Sequence, residues 1–198
     1  MIRRFLSAIV AALFATQSPA PATEAMAAES ATHVTISTSK GDIVIALDAK
    51  RAPGTVANFL RYVRAGHYDG TIFHRVIPQF MIQGGGFTAD GFKEKPTGRP
   101  IRNEADKTAS NAVGTIAMAR TPDPHSATAQ FFINTNDNSH LNHTEKSARG
   151  WGYAVFGRVV RGMEVVRAIE AVPTRTAGPY ENVPAEPVVI RSIKIGGK

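Results

Sequence analysis

The chain has 198 residues, 43% apolar, 20% charged and 8% aromatic, with a formal charge of +7 and a pI near 10.0. These fractions exclude a disordered tail, a collagen and a multi-span membrane protein, and the absence of cysteine excludes disulfides, thiol catalysis and thiolate metal sites. The positive charge permits an anionic partner but says nothing of the fold.

The first segment, residues 1–27, reads as a secretory signal peptide. Arg3 and Arg4 form a positive start, Phe5–Ala15 is an apolar run, and Ala25-Met26-Ala27 offers a small-residue cleavage pattern. The run is shorter than the ~20 apolar residues that cross a bilayer. Residues 28–198 are then expected to form a single exported domain, stable on its core alone.

From His33 onward the pattern is one of short strands. Val34 and Ile36 alternate with polar neighbours, as do Ile43, Ile45 and Leu47, with Lys40-Gly41 between them as a hairpin signal. A helix follows, because Val56, Phe59, Leu60 and Val63 repeat at i, i+3, i+4 and i+7. Thr55 is expected to cap it and Gly66 to end it. Further strands are expected over 72–77, 80–83, 114–119, 130–134, 154–160 and 188–195, with a second helix over 163–171 ended by Pro173. The alternation changes phase between Ile190 and Ile193, which predicts a bulge near Arg191. Residues 89–110 and 135–150 read as loops. Eight short strands and two helices predict a mostly β protein: a closed eight-stranded antiparallel barrel, capped at its ends by two α-helices.

Several chemical motifs are absent. Gly84-Gly85-Gly86 fits neither phosphate-loop spacing and reads instead as a place of close backbone approach. His140, His143 and Glu145 lie in one loop without a second cluster, so no metal is expected. Neither Gly-x-Ser-x-Gly nor His-Glu-x-x-His occurs, and the basic residues form no stripe interleaved with aromatics.

The segment Phe73–Gly85 stands apart. A turn centred on Gln79 would set Arg75 opposite Gln83 and Ile77 opposite Met81. This places a guanidinium beside an amide and large apolar groups in a barrel wall. Such an arginine is as readily a tie to loop carbonyls as a functional group, and periodicity does not separate the two.

That segment, with Gly114–Ala119, Gln130–Asn134 and Tyr153–Val159, strongly resembles the cyclophilin family of peptidyl-prolyl cis-trans isomerases, in matching order from about Val34 to about Ile195. Together with residues 1–27, the chain is similar to the bacterial periplasmic members. The resemblance implies Arg75 as the catalytic residue and a proline pocket of Phe80, Met81, Phe132 and Leu141. Gln83 would orient Arg75 and substrate, while Ala119, Arg120 and Gln130 would line the groove for residues preceding proline, Arg120 through backbone groups. His140 stands where the best-known members carry a tryptophan, and Tyr153 where they carry a histidine; weak binding of cyclosporin is the expectation. No cofactor or metal is implied, because rotation about an amide makes and breaks no bond. The expected partners are proline-containing unfolded or exported polypeptides, with no nucleic acid, no stable membrane association and a monomeric barrel. A barrel that only grips proline segments is the nearest rival reading, but a pure binder has no use for the arginine. A basic nucleic-acid-binding barrel is the second, and an exported chain without a basic stripe speaks against it.

Overall fold

The computed structural model describes residues 32–196; the signal-peptide reading over 1–27 lies outside the described residues. In chain order the elements are β1 (His33–Thr38), β2 (Gly41–Leu47), α1 (Pro53–Arg64), β3 (Thr71–Ile77) and β4 (Met81–Thr88). Next come β5 (Thr115–Met118), β6 (Phe131–Asn134), a 3-10 turn at Ser139–Leu141, β7 (Val155–Arg161) and α2 (Met163–Glu170). The chain finishes with β8 (Thr174–Ala177), β9 (Tyr180–Pro184) and β10 (Val188–Ile195). Eight of these strands close a barrel in the order β1-β10-β3-β4-β6-β5-β7-β2, every pair antiparallel, as the alternation predicts.

Period-two alternation turns one side chain in two toward the barrel axis. Val76, Ile82, Ile116, Phe131, Ile133 and Phe156 fill the interior and are wholly buried. Phe59 of α1 enters the same core, its ring centroid 5.8 Å from Phe131 and 5.2 Å from Phe156. Val166 and Ile169 bring α2 onto that core as well. At about 25 cal/mol per Å² of apolar surface removed from water, this interior is the main source of stability in a chain without cross-links.

The bulge falls where the phase change puts it. Ser37 pairs with Ser192 and Thr38 with Ile190, leaving Arg191 as the extra residue. Gly66, at φ 63°, ends α1 as expected.

Three local readings need correction. Helix α1 starts at Pro53 rather than after Thr55, because proline's fixed φ suits the first turn. Its cap is not Thr55 but the distant Glu104, whose carboxylate accepts the Gly54 N–H at 3.0 Å and the Thr55 N–H and hydroxyl at 2.7 Å each. An anion at this end also complements the helix dipole. Strand β4 begins one residue later than expected, at Met81, and continues through the glycine triplet to Thr88. There a Cβ on Gly84 would lie 3.0 Å from the Ile72 carbonyl, so the close approach read from the sequence is present. Finally, β8 and β9 form a separate two-stranded sheet where the sequence reading places no strand.

Candidate active site

The turn joining β3 and β4 sets the register of the site. Phe80 N–H donates to the Ile77 carbonyl at 3.2 Å, and Gln79 sits at φ 57°. Across this turn Ile77 pairs with Met81, Val76 with Ile82 and Arg75 with Gln83, as the turn centred on Gln79 predicts. The pairing then continues around the wall: Gln83 with Phe132, Phe132 with Ala117, and Ala117 with Val155. Arg75, Gln83, Phe132, Ala117 and Val155 therefore form one cross-strand row on the outer face of the barrel. With neighbouring strands ~4.8 Å apart, the Arg75 and Phe132 backbones are about 10 Å apart, with Gln83 on the strand between them.

The outer face carries a second apolar cluster, distinct from the interior. Met81, Ala117, Phe132 and Val155 are its buried members, and Phe80, Ala119, Leu141 and Tyr153 pack against it half-buried. All four residues of the expected proline pocket thus meet in one place. His140 stacks on Phe80 with centroids 5.6 Å apart and planes 26° from parallel. Tyr153 meets Phe132 edge-on at 5.5 Å.

Polar groups frame this cluster. Arg75 is half-buried, and among the described residues its guanidinium makes no hydrogen bond or ion pair. Gln83 does not bond to Arg75; its amide donates instead to Gln130 Oε1 at 3.0 Å. Gly86 makes room for that pair, since a Cβ there would lie 2.5 Å from Gln130 Nε2. The Gln130 carbonyl accepts the Ala119 N–H at 3.0 Å, which ties together two of the residues expected to line the groove. The Arg120 side chain is tied into the fold. Its Nε donates to the Gly152 carbonyl at 3.0 Å, Nη1 donates to the Thr121 carbonyl at 2.9 Å, and the guanidinium lies 4.5 Å over the Tyr153 ring.

Trp151 belongs elsewhere, packed edge-on against His125 at 4.5 Å with its indole N–H directed to the Asn103 carbonyl. The imagined metal trio is not gathered either. His140 lies on Phe80, His143 Nδ1 is 2.8 Å from the Trp151 carbonyl, and Glu145 accepts the Ser147 hydroxyl at 2.8 Å.

Sequence reasoning missed the polar network behind the pocket. Asn138 Nδ2 donates to the Phe80 carbonyl at 2.8 Å, and the Asn138 carbonyl accepts the Leu141 N–H at 2.9 Å, so one buried asparagine joins both lips. Asn111 adds a bond to the Leu141 carbonyl at 3.1 Å. The asparagine-rich run 134–142 was the available signal, but its composition reads equally as a turn-forming loop.

Residues 33–195 match the model of the cyclophilin type peptidyl-prolyl cis-trans isomerase/CLD family. The chain is 61% identical over 164 residues to the peptidyl-prolyl cis-trans isomerase cyp18 of Streptomyces antibioticus, covering 83% of this chain and 98% of that one. It is 53% identical to peptidyl-prolyl cis-trans isomerase A of Dickeya dadantii over 98% of both chains. Among solved structures, a cyclophilin-type isomerase of Cryptosporidium parvum crystallised in the presence of the dipeptide Ala-Pro superposes with a TM-score of 0.72 at 28% identity, over 84% of this chain and 99% of that one. With the match running through nearly every element of the barrel, the chain belongs to the cyclophilin-type peptidyl-prolyl cis-trans isomerases.

Proposed function

We propose that Arg75 is the catalytic residue of this isomerase and that the outer cluster of Phe80, Met81, Phe132 and Leu141 is its proline pocket. The observation that carries the reading is a guanidinium without a partner among the described residues, in the same cross-strand row as Phe132 and beside an apolar cluster.

Rotation about an X-Pro amide is slow because twisting breaks resonance, at a barrier of ~18–20 kcal/mol. In the twisted state the prolyl nitrogen becomes pyramidal and regains a lone pair. A donor aimed at that nitrogen binds the transition state better than the planar amide, which is the condition for catalysis. Arginine suits the task, since it stays charged at every working pH and presents a rigid fork. An acceleration of about 10⁵ requires about 7 kcal/mol, of which one charge-assisted hydrogen bond supplies about 1.5–3 kcal/mol. The remainder falls to the pocket, which grips the ring, excludes water from the amide dipole and leaves the carbonyl side free to swing. Gln83, with one amide N–H committed to Gln130, offers its carbonyl oxygen to Arg75 or to the substrate.

The substrates in this reading are proline-containing segments of exported polypeptides, met in the periplasm after residues 1–27 are removed. The layout of those residues supports the export reading. Detection of the uncleaved chain in the cytoplasm alone would overturn it. With His140 in place of a tryptophan on the pocket lip, cyclosporin inhibits weakly.

Turnover of a proline tetrapeptide by wild type and Arg75→Ala tests the mechanism. The expected loss is about 10²–10³-fold in kcat/KM, the usual effect of deleting one transition-state donor, at unchanged circular dichroism. Equal turnover would remove Arg75 from the mechanism, and an inactive wild type would favour the gripping barrel.

A further inference from the structure

Behind the Phe80 lip lies a charged pair that amide rotation does not itself require. Glu170, in the last turn of α2, is only 8% exposed. Its Oε1 accepts the Gln79 N–H at 2.6 Å, and its Oε2 accepts Arg167 Nη1 at 2.8 Å. The same Nη1 donates to the Thr135 carbonyl at 2.6 Å. Thr135 in turn donates its N–H to the Phe80 carbonyl at 3.0 Å, where Asn138 Nδ2 also arrives. Phe80 is thus held from both sides, through the residue before it by Glu170 and through its own carbonyl by Thr135, whose carbonyl Arg167 grips.

The residue Glu170 holds is also the strained one. Gln79 is in the left-handed region, at φ 57°, where a side-chain-bearing residue stays only if its surroundings fix it. A carboxylate withdrawn from water is costly unless paired and hydrogen-bonded, and this one satisfies both oxygens. Anchoring α2 does not by itself call for such a group, because Val166 and Ile169 already seat the helix in the core.

We propose that Glu170, supported by Arg167, is a positioning residue for the isomerase site: it locks the Pro78–Gln79 turn in the conformation that presents Phe80 to the proline ring. The proposal rests on the reading of Phe80 as a wall of the proline pocket. Helix α2, although outside the groove, is then part of the machinery that shapes it.

The experiment measures KM and kcat separately on a proline tetrapeptide, with thermal midpoints, for Glu170→Ala, Glu170→Gln, Gln79→Gly/Glu170→Ala and Phe80→Ala. Loss of the clamp is expected to raise KM by roughly five- to tenfold for Glu170→Ala, a tenfold change being about 1.4 kcal/mol of binding, with kcat within about twofold of wild type. Glu170→Gln keeps an acceptor for the Gln79 N–H and falls between. Gln79→Gly restores KM in the Glu170→Ala background, because glycine holds positive φ unaided. Should Glu170→Ala not fold, Glu170→Gln and its Gln79→Gly double variant carry the same comparison. A wild-type KM at a lowered melting temperature, with KM raised in Phe80→Ala, would make Glu170 a plain tie between helix and barrel and overturn the proposal. So would a double variant whose KM stays raised. An unchanged KM in Phe80→Ala would instead overturn the pocket reading, and the clamp with it.

Discussion

Strands β3, β4, β5 and β6 present two faces that differ in kind although they come from the same residues in alternation. The inner face, with Val76, Ile82, Ile116, Phe131 and Ile133, is apolar throughout and closed to water. The outer face, with Arg75, Met81, Gln83, Ala117 and Phe132, mixes apolar groups with a guanidinium and an amide. An ordinary barrel puts solvated polar groups on that side. Adjacent positions such as Phe131 and Phe132 therefore do separate jobs, one stabilising the barrel and the other shaping a groove on it.

Exchanging those two phenylalanines gives the sharpest test. Phe131→Ala empties a position packed among Phe59, Tyr68 and Phe73, and is expected to cost about 3–5 kcal/mol of unfolding free energy. Denaturant titration reads this, and the protein that remains folded keeps its KM. Phe132→Ala is expected to do the reverse, raising KM severalfold while costing less stability because its ring is not in the barrel core. If both variants lost stability alone, the two faces would not be functionally distinct.

The next effect depends on pH. His74, 5% exposed, lies beside the Phe87 ring at 4.7 Å, and its Nδ1 has no hydrogen-bond partner among the described residues. Burial, chiefly, lowers its pKa to about 4, with Arg75 adding to the effect against a backbone contact at Ile72 that opposes it. Between the ordinary value of 6.5 and about 4 the unfolded chain binds the proton and the folded chain does not. Stability therefore falls as pH drops through that window and levels off below it, by about 3 kcal/mol in all. Unfolding midpoints from pH 7 to 4 check this, and His74→Phe should flatten the profile. Turnover by the outer face, by contrast, is expected to stay nearly level from about pH 6 to 9, since Arg75 keeps its charge throughout.

A smaller effect isolates the polar rim. Gly86→Ala would push the Gln130 side chain away and break its bond to Gln83 without altering either residue. The expected loss is about 1 kcal/mol, or roughly fivefold in kcat/KM. An unchanged kcat/KM would mean that the Gln83–Gln130 bond is incidental to the groove.

How much of this the sequence reveals depends on the range of the interactions involved. The β3–β4 register, the Arg191 bulge and the Gly66 terminus follow from neighbours a few residues apart, and each is legible in the alternation or in one turn residue. The Glu104 cap on α1 reaches across 49 residues and the Glu170 bond to Gln79 across 91, so no local pattern announces either. The β8–β9 hairpin escapes for another reason. Five of its nine residues are exposed and the two buried ones, Val183 and Pro184, are adjacent, so it has no alternation to read. The residues proposed for the pocket were legible through the family resemblance, whereas the asparagines and the α2 carboxylate that bond to their backbone were not.

The apolar cluster of Met81, Ala117, Phe132 and Val155 lies on the outside of a closed wall, rimmed by half-buried side chains. A client need not offer a free end or thread through an opening. On the proposed assignment of the proline site to this face, a proline loop can be laid against the surface, turned and let go. The enzyme's reach along a long polypeptide is then limited by where the client leaves a proline uncovered.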